Sequence, residues 1–239
     1  WDVARQTASW LATDGQPEPN VDPLERIRLE ELVRVADLHV SAATGLTTSI
    51  AGGVLSILPV SRGDWALHSL EAYRPFRERL ATSLSTAGDD EDDPADVAAK
   101  LMGDLGKMLG PVLLGMQSGF MLGHLSRRAL GQYDLPLPRR PADQLLIVPA
   151  NLDAFAEEWS LPGDDLRLWV CLQEVTLHAV LGRPHVRARL ADLVDRATQT
   201  QDDALARIAR AADALQTAQA ESREEFGGAV REAVGGGDG

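Results

Sequence analysis

The segment from Asp165 to Leu181 constrains the fold more than any other. It reads Asp-Leu-Arg-Leu-Trp-Val-Cys-Leu-Gln-Glu-Val-Thr-Leu-His-Ala-Val-Leu. Wound into a helix, it puts Leu168, Leu172, Val175 and Ala179 on one face and Val170, Leu177 and Leu181 on another. A helix that is apolar on nearly every side is a buried one, so the chain must build its core around this segment. Glu174 lies close to the second stripe. A carboxylate there needs a partner or its pKa rises, and lone buried ionisable groups cluster at functional sites.

The rest of the chain reads as further helices. Residues 1–14 predict a short one, closed by Asp14-Gly15 and a linker holding Pro17 and Pro19. Residues 23–44 predict a longer one, with an apolar stripe through Leu24, Ile27, Leu32, Val35 and Leu38, ended by Gly45. Val54 to Val60 is a short strand or a loop. Ser61 precedes Asp64 at the spacing of a capping box, and Pro75 predicts a kink or break in the helix that follows. Residues 95–130 form one or two helices in which Gly115, Gly119 and Gly123 share a face. Glycine costs about 1 kcal/mol at each interior helical position, so another helix backbone is expected close by. Asp134-Leu-Pro-Leu-Pro138 and Gln144-Leu-Leu-Ile-Val-Pro149 are expected to pair as short edge strands around Arg139-Arg140-Pro141. Residues 152–159 form a short helix, and 186–233 a long polar helix or helical hairpin. Within it Leu205, Ile208, Ala212 and Leu215 keep a helical spacing too short for a coiled coil. The fold class is mainly α with a minor short-strand hairpin.

Composition removes several function classes. Of 239 residues, 44% are hydrophobic and 25% charged, a globular balance in a chain long enough to fold without disulfide or metal. Cys171 is the single cysteine, so no internal disulfide forms; on an apolar helix it reads as core. The net charge of −13 disfavours nucleic acid and anionic membrane surfaces. Residues 41–61 and 108–126 lack formal charge, but their threonines, glycines, prolines and other polar groups make poor membrane spans. Trp1-Asp-Val-Ala-Arg5 has neither the basic start nor the apolar run of a signal peptide, so a cytoplasmic chain is expected. The acidic run at 88–94 lacks the EF-hand pattern, with Pro94 and Lys100 at the positions that need glycine and glutamate. No nucleophile-elbow, P-loop or dinucleotide motif is present.

Leu168-Trp-Val-Cys-Leu-Gln-Glu-Val-Thr-Leu-His178 resembles the active helix of an actinobacterial family of zincin-like metallopeptidases or hydrolases. Some members are associated with deazaflavin-cofactor biosynthesis, and the family's usual text is Leu-Trp-Val-x-Leu-His-Glu-x-Thr-His. Trp1-Asp-Val-Ala-Arg-Gln6, Ala36-Asp-Leu-His39, Arg62-Gly-Asp-Trp65, Leu130-Gly-Gln-Tyr-Asp-Leu-Pro-Leu-Pro138 and Val148-Pro-Ala-Asn151 are similar to family landmarks, in family order. The resemblance implies a zincin-like helical domain at 1–195, with a polar helical extension and frayed tail at 196–239.

What it implies about chemistry turns on two positions. In His-Glu-x-x-His, histidines at i and i+4 hold zinc from one helical face, and the glutamate activates the metal-bound water. Here Gln173 stands at the first histidine position and Leu177 at the second; Glu174 alone matches, as a vestigial general base. His178 is turned about 100° from the ligand direction. A displaced metal site stays open: Glu174 and His178 are four apart, and His185 joins them only if the helix runs through Gly182 and Pro184. Otherwise Leu177 fills a former ligand position with apolar volume, and Gln173 keeps an amide able to satisfy a leftover neighbour. The resemblance therefore implies a pseudo-enzyme with zinc ancestral and no cofactor expected, kept as a binding or assembly scaffold with an unidentified protein partner. The alternatives are a metal-dependent hydrolase with a displaced site, and a module that binds its partner through the C-terminal helix.

Overall fold

The computed structural model describes residues 1–86, 97–136, 139–197 and 199–200. By its internal packing the chain divides into Trp1–Asp195 and Arg196–Gly239. Within the second unit, residues 196–197 and 199–200 are helical. The acidic run and the Leu205–Leu215 spacing lie outside the described residues. The elements below belong to the first unit, which is mainly helical as expected.

Helix α1 (Asp2–Thr13) buries Ala4, Ala8, Leu11 and Ala12 and stops where Asp14 turns left-handed. Its small residues meet the glycine face of α4 (Val97–Ser126). A Cβ on Gly119 would sit 2.6 Å from the Ala4 carbonyl oxygen and 2.9 Å from Thr7 Cβ; one on Gly123 would sit 2.7 Å from Leu11 Cβ. Alanine against glycine lets the two backbones touch, so the missing side chains are what the packing requires. Helix α3 (Arg62–Thr86) is the third member of this group. Its first turn is anchored twice. Ser61 Oγ accepts from the Asp64 N–H at 3.0 Å, and the Glu18 carboxylate accepts from the N–H groups of Arg62 and Gly63, as an acid at a helix N-terminus should. Pro75 does not break this helix.

Helix α2 (Pro23–Thr44) starts at Asp22, whose side chain accepts from the Leu24 N–H, and ends at Gly45 with φ 67°. Its buried face corrects the sequence reading. Leu29, Val33, Ala36 and Val40 face the core at 4-3-4 spacing, while Leu24 and Leu38 are more than 70% exposed. Both stripes satisfy helical periodicity. The one holding Ala36 packs on α6 (Gly163–Leu181) and β1 (Ser56–Pro59).

The strands also differ from expectation. Among the described residues β2 (Gln144–Ile147) forms no hairpin with 134–136. It pairs in parallel with β1, in register from Ser56↔Gln144 to Pro59↔Ile147. Pro136 and Pro138 offer no N–H donors, and Gln132–Asp134 is a turn of 3-10 helix. β2 is a nearly continuous apolar run, with Leu145, Leu146 and Ile147 all buried, the character of a strand covered on both faces in a parallel pair. The 130s approach it only through an antiparallel bridge between Gly131 and Ile147. α5 (Pro149–Glu158) follows, then α6, which stops at Gly182; helix resumes at Pro184. Among the described residues no helix is long and apolar enough to cross a membrane.

The α1–α4 contact sets a paired test. Gly119→Leu is expected to cost at least about 1–3 kcal/mol by overpacking. Gly110→Ala, where an added Cβ meets nothing within 4 Å, is expected to be neutral or to gain about 0.5–1 kcal/mol. Denaturant midpoints decide; equal stability of Gly119→Leu and wild type would place that face in solvent.

Candidate functional site

α6 buries a polar stripe beside its apolar one. Arg167, Glu174 and His178 are all buried, with Cys171 among them, and their 4-3-4 spacing makes one stripe. Trp169, by contrast, is 55% exposed. Arg167 settles one end: it donates to Glu25 at 2.6 Å, to Asp153 at 2.5 Å and to the Gly163 carbonyl, tying α6 to α2 and α5. Burial, with help from Glu174 and Glu25, pushes the Cys171 thiol up to about 12, which leaves it a core residue.

Glu174 is wholly buried beneath the 130–134 turn. The Tyr133 N–H donates to both carboxyl oxygens, at 3.1 and 3.2 Å. Gly131 lies so close that a Cβ on it would stand 2.4 Å from Glu174 Cδ; only glycine fits. Burial pushes this carboxyl up to about 8; the Tyr133 amide works against that and nearby Asp134 adds to it. At neutral pH the buried group favours its neutral acid form.

The turn is fixed by residues far away in sequence. The Trp65 indole N–H donates to the Gly131 carbonyl at 2.8 Å, and Asp134 accepts from the N–H groups of Leu130 and Gly131. Asn151 donates to the carbonyls of Ser126 and Ala129 and accepts from Arg62 Nε at 2.6 Å.

One turn further along α6, His178 Nδ1 lies 2.8 Å from the Tyr133 hydroxyl. Burial pushes that phenol up to about 12, so it keeps its proton; with it as the donor, Nδ1 accepts and Nε2 carries the ring proton. Burial holds the imidazole below its ordinary value, against the pull of Asp143, so the ring is neutral. Its Nε2–H is buried without a hydrogen-bond partner. Asp143 Oδ1 is 3.7 Å away, beyond hydrogen-bond length. Burial alone would raise Asp143, but the N–H groups of Ala51, Ile50 and Gly53 and the Ser49 hydroxyl hold it well below the usual carboxylate range.

His178 and Tyr133 open onto a cleft of about 550 Å³, walled by α3, the 132–146 segment, the end of α6 and the helix after it. Arg74, Arg139, Arg140 and Arg187 line it, with Glu71 the one acidic residue.

Of the residues singled out in the sequence, Glu174 and His178 come together under Tyr133. Gln173 and Leu177 are half-buried and do not line the cleft. The Gln173 amide makes no hydrogen bond among the described residues, so it satisfies no leftover neighbour. His185 is exposed beyond the break at Gly182. Sequence reasoning missed Tyr133, Arg139 and Asp143. Tyr133 stood in plain view inside a landmark segment, but nothing in its spacing announced a partner on α6.

The zinc that such a motif implies does not fit these residues. Gln173 and Leu177 cannot replace two histidines, Glu174 is occupied by an amide, and His178 Nδ1 by a phenol. Among the described residues no three His, Cys, Asp or Glu side chains converge.

The chain belongs to the zincin-like metallopeptidase family, whose model matches residues 1–235. That match runs past residue 195, where the recognisable landmarks end. A solved structure from Chloroflexus aurantiacus, described as "a putative hydrolase with a novel fold", is 25% identical with a TM-score of 0.58. The similarity covers 83% of this chain and 58% of that one, so this chain spans under two thirds of its neighbour's length. No curated protein matches.

The raised Glu174 carboxyl fixes the sign of a pH effect. Between the ordinary carboxyl value and about 8, the unfolded chain has lost a proton that the folded chain keeps. Its contribution to stability therefore falls as pH rises through that window and levels off above it. Glu174→Gln lacks this dependence. Its stability relative to wild type is expected to improve by up to about 1.4 kcal/mol per pH unit from pH 5 to 8. Chemical denaturation of both proteins across that range checks it; a pH-independent difference would mean Glu174 is ionised in the fold.

Proposed function

We propose that this chain is a zincin-like family member whose metal-hydrolysis machinery has been converted into a binding module. The observation that carries the reading is the state of Glu174: buried, mostly neutral, and held by the Tyr133 amide against Gly131. A zincin glutamate must be ionised and must face a metal-bound water; this one closes the packing between α6 and the 130–134 turn. The substitutions at Gln173 and Leu177 support the same reading, because a water with no metal keeps its high pKa. What remains open to solvent is a formed cleft of the size that takes small ligands.

Elemental analysis after dialysis against added Zn²⁺ tests the reading, alongside hydrolysis assays on peptide mixtures. Zinc well below one equivalent and no turnover are expected. One tightly held equivalent, lost in His178→Ala, would overturn the proposal in favour of a displaced metal site.

A further inference from the structure

The cleft carries an excess of donors with no acceptors to meet them. His178 is fully buried, and its Nε2–H has no partner. Asp143 Oδ1 lies 3.7 Å from it, beyond hydrogen-bond length, and the Asp143 carboxylate is turned to the donors of the 49–53 loop. Arg139, on the same cleft, has a buried Nε–H that is also unpartnered. Its two Nη atoms reach only Ser69 Oγ at 3.1 Å and the His68 carbonyl at 3.5 Å. Leaving such donors buried and unsatisfied is costly, and a partly dehydrated guanidinium without a counter-charge more so.

The charges agree. Arg74 is committed to Glu71 and Glu78 and lies over the Trp1 ring. Among the described residues no carboxylate comes within ion-pair distance of Arg139, Arg140 or Arg187, and both Arg139 and Arg187 act on the Tyr133 hydroxyl. A chain of net charge −13 has thus gathered uncompensated cations around two orphan N–H groups. Such a set lacks only acceptor oxygens bearing negative charge, for which arginine's planar fork is suited.

We propose that the cleft binds a small organic oxyanion, a carboxylate or phosphate, through Arg139, Arg187 and the Nε2–H of His178. This rests on the binding-module reading, and it names the ligand class. Tyr133 acts as a positioning residue: its hydroxyl donates to Nδ1 and so keeps the His178 proton on Nε2.

The test is calorimetric titration of the full chain with inorganic phosphate and with glutarate, at constant ionic strength and with EDTA present. Saturable binding of at least one is expected, and which one binds identifies the source chemistry. Arg139→Gln and Arg187→Gln should each weaken it at least tenfold, while Arg34→Gln, on the exposed side of α2, leaves it unchanged. Because Arg139 is half-buried, Arg187→Gln provides the second reading if the first variant is unstable. In ¹⁵N-histidine spectra His178 should show the Nε2–H tautomer and shift on saturation. No saturable binding of either probe, or binding indifferent to both substitutions, overturns the proposal. Because EDTA is present, that failure leaves the zinc result untouched, so the two proposals fall separately.

Discussion

The contact between Glu174 and the 130–134 turn is the constraint on which the rest of this unit depends. A carboxyl group is fully buried on the central helix, and the chain accommodates it by bringing a backbone N–H to its oxygens and a glycine to its flank. A turn that approaches a helix this closely cannot be held by its own hydrogen bonds alone. Asp134 closes it from within, Trp65 holds its Gly131 carbonyl from α3, and Asn151 holds the Ser126 and Ala129 carbonyls that lead into it. Three of the segments that resembled family landmarks thus share one physical role. Arg62 to Trp65, Leu130 to Asp134 and Val148 to Asn151 place the turn on α6. Hydrogen bonds to buried groups are costly to remove, which accounts for finding polar and glycine residues where a simple core would use leucine.

The sequence was legible where one periodicity had one solution. The glycines of α4 lie on one face, and that face could only be a close contact; α1 meets it with alanines. The cap at Ser61 and the stops at Gly45 and Gly182 were local chemistry and read correctly. It was ambiguous where two faces were equally apolar. α2 carries two stripes, and its partners α6 and β1 chose the one with Ala36. α6 misled more deeply. Of the two apolar stripes read in it, Val170, Val175 and Ala179 are buried, but Leu168, Leu172 and Leu177 are only half-buried, and Arg167, Glu174 and His178 are buried in their place. Hydrophobicity ranks residues by their cost in water, and says nothing of a buried polar group whose partner comes from another part of the chain.

The long-range pairings were illegible for the same reason. β2 pairs with β1 across the whole of α3 and α4, where the nearer hairpin seemed the economical choice. Asp143 gathers four donors from the 49–53 loop just before β2 begins, and its neighbours in sequence do not mark it as special. The parallel pair and this carboxylate together bring the loop after α2 beside the end of α6. That juxtaposition makes the His178 end of the cleft.

A zinc site and this cleft ask opposite things of α6. Zinc needs ligands that donate lone pairs, so the imidazole nitrogen facing the ion must be bare. In this chain Nδ1 faces the Tyr133 hydroxyl, and with that hydroxyl as donor Nε2 holds the proton. The glutamate fits the same picture: a carboxyl that burial keeps protonated carries no charge to repel an incoming anion. Where a metal centre presents a cation ringed by acceptors, the described residues present donors and guanidinium groups around a neutral acid. On the proposed reading the polarity of the site is inverted while its framework, the buried stripe of α6 beneath a glycine turn, stays in place. Reintroducing histidine at 173 and 177 alone would therefore leave the neutral Glu174 and the donor-facing His178 as they are, because the Tyr133 amide and hydroxyl that set both states lie on a different element.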